Sequence, residues 1–572
     1  MEKNWKLKDK AKQLEIEQMS QALNINETLA NLLLQRGINT FKGAKSFFRP
    51  QLTDLHDPFL MKDMKKAVER VNLAIEREEK ILIYGDYDVD GTTSVALVYA
   101  FLKDRYPHLD YYIPDRYSQG YGISYQGVEY AAQNGFTLVI SLDCGIKAVE
   151  KIGYAKKKGI EFIICDHHTP GDEIPDASAV LDPKQSDCDY PFKHLSGCGV
   201  GFKMLQGFAQ YNKIPFYELE PYLDLVCVSI ASDIVPIVGE NRVLSHFGLL
   251  QLNNDPRAGL RSTIIVSNLQ NKDITISDIV FKIGPRINAA GRMESGRKSV
   301  DLLIAENDER AASVMSEVNA FNEERKDLDR NITLQALDMV LNNEIEKDKK
   351  TTVLYKNEWH KGVIGIVASR LIETHYRPTV ILTESNGFAT GSARTVEGYD
   401  IYQAIEQCSD LLENFGGHTY AAGLTMKIEH VPEFKRRFEE FVAKTINKEQ
   451  LVPQVEIDTM MDLKEITPKF YKILKQFAPF GPENMSPVFM TRNVTDYGSG
   501  KVVGKNSEHL KLDLMQNDDT SMVFPAIAFN KAAFYDIVRQ RIPFHIVYTV
   551  IENEFRGRTS LQLMIKEIKV EI

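Results

Sequence analysis

At 572 residues the chain is too long for one hydrophobic core, and length alone points to roughly three or four domains. An apolar content of 43% is ordinary for a soluble globular protein, and no run reaches the roughly 18 apolar residues that would span a bilayer. A formal net charge of -10 excludes a protein that coats nucleic acid over its whole surface, while a local basic groove stays open.

The opening residues, "MEKNWKLKDKAKQLEIEQ", lack the apolar core of a signal peptide, so the chain is expected in the cytoplasm, away from membranes. Residues 1–50 are expected to form a helical segment, with the first large domain over 51–304. Six cysteines, at 144, 165, 188, 198, 227 and 408, form neither a Cys-x-x-Cys pair nor a zinc-like spacing. A reduced compartment and small buried side chains fit them.

From about residue 80 to residue 210, short apolar runs alternate with amphipathic segments, the pattern of repeated β-α units. Strands are expected near 80–84, 109–113, 136–142, 160–165 and 178–181, and helices near 92–104, 124–134, 147–158 and 198–211. This series predicts an α/β fold with a doubly wound, mostly parallel sheet, in which ligands collect beyond the carboxyl ends of the strands. The first strand runs into "GDYDVDGTTS". An extended backbone there would point Asp86, Asp88 and Asp90 the same way, with a repulsion of about 1 kcal/mol in water and a few kcal/mol at a protein surface. Further acids and imidazoles follow the same rule: "TLVISLDCG" ends in Asp143, "EFIICDHHTP" in Asp166, His167 and His168, and "LDLVCVSIASDIVP" in Asp233.

Two other patterns overlay the first acids and fail. An EF-hand loop matches Asp86 to Gly91 but needs a Glu where Leu97 stands, and a helix in front instead of a strand. The Asp-x-Asp-Gly-Thr of haloacid-dehalogenase phosphatases matches Asp88 to Thr92. Its later acidic motif should end another apolar strand, whereas the one candidate, "GDEIPD" at 171–176, follows "DHHTP". Carboxylates and imidazoles at several strand and helix ends can instead converge on divalent cations, with enough ligands for two, and the cations would cancel the repulsion.

Residues 305–350 predict a long connecting helix, with Val314, Val318, Phe321, Leu328 and Ile332 at helical spacing among many charges. A second apolar-rich unit, 351–450, holds the strand-like "TVILT" and "GFATGSAR". Ser392 and Arg394 alternate there and share a face, offering a hydroxyl and a guanidinium fork to one phosphate. Gly416 and Gly417 either cap a helix after "LLEN" or let the backbone approach a nucleotide, with His418 beside it. From 451 to 572, "EHLKLDLMQ", "SMVFPAIAFN", "PFHIVYTVIEN" and "TSLQLMIKEIKV" alternate apolar and polar residues between turns, predicting a small β-barrel or sandwich.

"YGDYDVDGTTS", "SLDCG", "CDHHTP" and "VSIASDIVP", in this order, resemble the four motifs of the DHH phosphoesterase superfamily, and "GSARTVEGYDI" with "NFGGHTYAAGLTM" resembles the DHH-associated domain. Nearly the whole chain is similar to the RecJ family of bacterial single-stranded-DNA-specific 5′ to 3′ exonucleases. The resemblance implies that Asp86, Asp88, Asp90, Asp143, His167 and Asp233 bind two Mn²⁺ or Mg²⁺ ions, Asp143 bridging and Asp86 the least secure. It implies a catalytic set of His168, facing the scissile phosphate, with Asp143 and Asp166. Substrate contacts implied are Arg116, Arg286, Arg292, Ser392 and Arg394, and it favours the nucleotide-binding use of Gly416, Gly417 and His418. For the tail it implies an OB-fold, with Lys501, Lys505, Lys511, Arg556 and Arg558 as cations and Phe524, Phe529, Tyr548 and Phe555 as candidates to stack on bases or fill the barrel core. The implied product is nucleoside 5′-monophosphates, made by a monomer in DNA repair and recombination beside a single-strand-binding protein and a RecQ-type helicase. A DHH phosphodiesterase of oligoribonucleotides or cyclic dinucleotides is the alternative; those enzymes are typically smaller and lack a nucleic-acid-binding tail. A non-catalytic DHH scaffold would have lost ligand residues that are all present here.

Overall fold

Ile81, Leu82, Ile83 and Tyr84 are all buried, and their alternation serves two cores on opposite faces of one sheet. Ile81, Ile83, Leu138, Ile140 and Ile163 pack on one side, Leu82, Tyr84, Val139 and Ile164 on the other. That is the signature of a parallel sheet covered by helices on both faces. The computed structural model describes residues 3–342, 349–555 and 557–570. In it the sheet has five parallel strands in the order Leu109–Tyr112, Lys80–Gly85, Phe136–Leu142, Glu161–Cys165 and Ala179–Leu181. The chain leaves Lys80–Gly85 to one side and returns on the other, so the switch point of the sheet lies at the carboxyl end of this strand. Helices Val89–Lys103, Tyr125–Gln133, Val149–Lys157 and Gly197–Tyr211 stand close to where the apolar periodicity puts them.

The connecting helix runs Asp308–Leu341, its first turn capped by Asn307, whose side chain accepts from the Arg310 amide at 2.9 Å. The expected continuation to 350 includes 343–348, which lie outside the described residues. The helix leads into a five-stranded mixed sheet, in the order Leu412–His418, Ala421–Lys427, Phe388–Arg394, Thr379–Ser385 and Thr352–Tyr355. The last sheet has seven strands, with an additional pairing between Phe489–Asp496 and His509–Gln516. Its strands alternate as the sequence does: Leu510, Leu512 and Leu514 are buried and face inward.

The N-terminal helices Gln13–Leu23, Glu27–Gln35 and Phe41–Phe48 share the core of this last sheet, Ile16, Leu29 and Leu33 packing with Phe477, Phe489 and Leu512. A strand missing from the helical expectation, Asn4–Leu7, pairs in parallel with Gln454–Ile457. Among the described residues no helix is long and apolar enough to cross a membrane. All six cysteines are buried and free.

Candidate metal and phosphate site

The strand Lys80–Gly85 stops before the acids, so Asp86, Asp88 and Asp90 do not share an extended face; that expectation is corrected here. Asp88 caps the helix Val89–Lys103, its Oδ1 accepting from the Gly91 amide at 3.0 Å. The turn is so tight that a Cβ on Gly91 would lie 2.5 Å from the Asp86 carbonyl oxygen. Each acid is thereby turned to a different neighbour. Asp86 Oδ1 accepts from the Gly122 amide at 3.1 Å, while its Oδ2 is buried without a partner. Asp90 is gripped hardest, by the Gly197 amide at 2.7 Å, the Cys198 amide at 2.8 Å and the Ser229 hydroxyl at 2.7 Å. The N-terminus of Gly197–Tyr211 therefore points at this carboxylate.

Asp143 follows the strand Phe136–Leu142 with φ of 58°, a left-handed conformation that non-glycine residues adopt at a cost of order 1 kcal/mol or more and that recurs at functional sites. Its Oδ1 lies 3.1 Å from His167 Nε2, yet both atoms are buried without a hydrogen bond. The reason is the tautomer. His167 Nδ1 donates to the Leu195 carbonyl at 3.0 Å, and burial pushes the imidazole down to about 4 against the pull of Asp90, so Nε2 is a lone pair at neutral pH. That lone pair also faces Asp233 Oδ2 at 3.6 Å and Asp90 Oδ2 at 3.7 Å. Acceptors thus converge with no donor among them. Burial, then the charges of Asp90 and Asp88, push the Asp143 and Asp233 carboxyls well above the usual range. Asp86 is raised by burial and then Asp88, and Asp88 by burial and then Asp90.

Ligand atoms of Asp143, His167 and His168 lie within 4.8 Å of one another, and so do those of Asp90, His167 and Asp233. Two overlapping oxygen and nitrogen donor sets that share His167 fit a pair of divalent cations. Asp166 does a different job: Oδ2 accepts from the Ile146 amide at 2.9 Å, while Oδ1 accepts from the His167 amide at 2.7 Å and from His168 Nδ1 at 2.7 Å. Burial is the largest single influence and would raise this carboxyl, but the bond and charge of His168, together with the Ile146 amide, hold it below its ordinary value. For His168 burial is likewise the largest influence, and the bond and charge of Asp166, with the charges of Asp90 and Asp88, together raise it against that burial. Its Nε2 sits 3.3 Å from the Tyr121 hydroxyl.

A cavity of about 240 Å³ is lined by Asp88, Asp90 and Asp233 together with Asn288, Arg292 and Arg325. Arg292 donates to the Gly362 carbonyl at 2.9 Å; burial, followed by Arg116, Arg325 and Arg394, pushes its guanidinium down to about 9. Arg116 stacks 4.1 Å over the Tyr87 ring, its Nε buried without a partner. Arg394 donates to Ser392 Oγ at 3.0 Å, and a Cβ on Gly365 would come within 2.9 Å of that hydroxyl. These two residues therefore stand together against the start of the helix Ile364–Thr374. Arg286 is the exception. It donates to the Lys282 carbonyl at 2.7 Å, one turn back on its own helix, and does not line the cavity.

"LLEN" is no helix: Leu412–His418 is a strand, so the capping use of Gly416 and Gly417 is set aside. Gly417 has φ of 153°, and a Cβ there would meet the Ala421 carbonyl at 2.3 Å. His418, the last residue of that strand, is held below its ordinary value by burial and then by the charges of His168, Lys147 and Lys184. In the last sheet Tyr548 and Phe524 are buried in the core and cannot stack on bases without unfolding it, so of the two readings open for them they fill the barrel core. Phe529 is exposed, 4.9 Å from the His509 ring, and Lys501, Lys505, Lys511 and Arg558 are exposed. Arg556 lies outside the described residues, as does the side chain of Phe555. Sequence reasoning missed Arg325, Asn288, Ser232 and Tyr121. Asn288 could have been found, since it lies three residues after Pro285 and four before Arg292 on one helical face.

Residues 80–230 match the DHH family, N-terminal domain, residues 348–444 the DHHA1 domain and residues 457–567 the RecJ OB domain. The chain is 35% identical over 97% of its length to the single-stranded-DNA-specific exonuclease RecJ of Bacillus subtilis, covering 69% of that protein. It is 32% identical to the enzyme of the same description from Escherichia coli, over 88% of this chain and 90% of that one. Among solved structures, RecJ of Thermus thermophilus in complex with Mn²⁺ superposes with a TM-score of 0.85 at 24% identity, covering 100% of this chain and 80% of that one. An exonuclease RecJ bound to manganese gives 0.60 at 29% identity, covering 70% of this chain and 98% of that one.

Proposed function

The chain belongs to the RecJ family of single-stranded-DNA-specific exonucleases, and from that premise we propose that it hydrolyses single-stranded DNA from the 5′ end, releasing nucleoside 5′-monophosphates. The observation that carries this reading is the meeting of acceptors at His167 Nε2: Asp90, Asp143 and Asp233 all face one lone pair, an arrangement that divalent cations satisfy. Asp86, Asp88, Asp90, Asp143, His167 and Asp233 form the proposed ligand set for two Mn²⁺ or Mg²⁺ ions. Such ions, when bound, supply Lewis-acid polarisation of a phosphate oxygen and a water acidic enough to attack.

The chain's own groups do the rest. Asp90 is fixed by three donors, so its remaining lone pairs are aimed before any substrate arrives. Asp166 holds His168 by Nδ1 and favours imidazolium, which presents a positive Nε2–H group beside the Tyr121 hydroxyl to take phosphate charge. Arg116, Arg292, Ser392 and Arg394 bind phosphates of the strand, and Gly416, Gly417 and His418 bring a bare backbone and an imidazole to the terminal nucleotide. The C-terminal barrel, with exposed Lys501, Lys505, Lys511 and Arg558, supports a polymer substrate over a cyclic dinucleotide or short oligoribonucleotide. Domain limits at 51–304, 351–450 and 451–572 accompany this reading. So do a cytoplasmic monomer and partners in a single-strand-binding protein and a RecQ-type helicase, all supported by family resemblance.

The test is digestion, with Mn²⁺, of single strands labelled at the 5′ or the 3′ end, beside duplex and RNA. Loss of a 5′ label as mononucleotide, with duplex and RNA spared, is the expected result. Intact single-stranded DNA would overturn the proposal.

A further inference from the structure

The connecting helix brings to the cavity a charge that the sequence pattern treats as part of a solvated face. Arg325, on the helix Asp308–Leu341, lines the same cavity as Asp88, Asp90 and Asp233. One turn along the same helix, Asp329 is buried, and its Oδ2 takes both Nε and Nη2 of Arg370 at 2.9 Å. That pair docks the helix on the second domain; Arg325 feels the Asp329 and Glu323 carboxylates through space, but among the described residues it forms no ion pair, and its Nε is buried without a partner. Ser232 Oγ and Asn288 Oδ1, in the same walls, are also buried without partners. A desolvated guanidinium with an open fork calls for an anion, and its planar donors match phosphate. Arg286 also has a buried Nε without a partner, but it spends a donor on the Lys282 carbonyl and does not line the cavity.

Resting on the reading of this chain as a nuclease of single strands, we propose that Arg325 is a phosphate-binding residue of the catalytic cavity, in the place that sequence resemblance gives to Arg286. Strand binding is then sensed by the same helix that joins the two domains. Removing the guanidinium costs affinity without touching the metal ligands.

The experiment is fluorescence anisotropy of a labelled 5′-phosphorylated single strand with the full chain in EDTA, across a range of salt. Each phosphate contact on a single strand adds about 0.7 to the slope of log affinity against log salt. Arg325→Gln is expected to flatten the slope by about 0.7 and weaken binding roughly tenfold. Arg325→Lys keeps the slope, since the charge remains, but binds a few-fold more weakly because the fork is lost. Lys326→Gln, which removes an exposed charge paired with Glu323 at 2.8 Å on the same helix, keeps the wild-type slope. An Arg325→Gln protein with wild-type slope and affinity would overturn the assignment. A wild-type protein that binds no strand at all would overturn the functional reading, and this assignment with it.

Discussion

Asp143 shows how one residue carries the site. It is buried, its Oδ1 meets a lone pair instead of a donor, and burial with the neighbouring charges of Asp90 and Asp88 raises its pKa. A group whose folded pKa lies above the unfolded value of about 3.9 binds its proton more tightly when folded. The penalty for ionising it is absent below the unfolded pKa and grows as pH rises through the folded one. In EDTA, Asp143→Asn should therefore melt above wild type at neutral pH, with the gap closing on acidification, and Mn²⁺ should reverse the order. A lower Tm for the variant in EDTA at neutral pH would refute this account. At this scale the motif acids were legible in sequence because each closes an apolar run. Arg325 was not, because its significance is a cavity assembled from five distant segments.

Elements aim these residues. The helix Gly197–Tyr211 presents two amides to Asp90, and its first residue has no room to grow: a Cβ on Gly197 would lie 2.5 Å from the Asp143 Cβ. Gly197→Ala should push Asp143 out of register, lowering the metal-free Tm by crowding the core and also cutting the further rise in Tm that Mn²⁺ induces. An unaltered Mn²⁺ response would show that the crowding is relieved elsewhere. Strands and helices of the first sheet were readable because both faces are buried and the runs are uninterrupted. The acid row was misread because the period of the strand was carried past Gly85, where Asp88 begins a helix. Tyr548 and Phe524 were open to both readings, since a barrel strand with an aromatic at an inward position looks the same as one with an aromatic facing a base.

Across the whole molecule, a single buried arginine ties three regions together. Arg242 of the helix Gly239–Asn254 donates to the Phe477 and Ala478 carbonyls at 2.9 Å each and to the Phe47 carbonyl at 2.9 Å, while stacking 3.7 Å over the Phe47 ring. Removing it leaves several buried carbonyls unpaired, each costing about 1–3 kcal/mol. Arg242→Ala should lower stability by roughly 3 kcal/mol or more, read as a fall in Tm or denaturant midpoint, and a wild-type midpoint would contradict the role. This long-range layout had no local signal. Asn4 and Trp5 pair with Gln454 and Val455, some 450 residues away, and neither stretch announces the other. The central claim spans the same distances: Asp90, Asp143, His167 and Asp233 face one another to hold cations between them. The most direct measurement is anomalous scattering from crystals soaked in Mn²⁺. The account predicts two manganese peaks bounded by Asp88, Asp90, Asp143, His167 and Asp233, and a map with no peak among these side chains would contradict it.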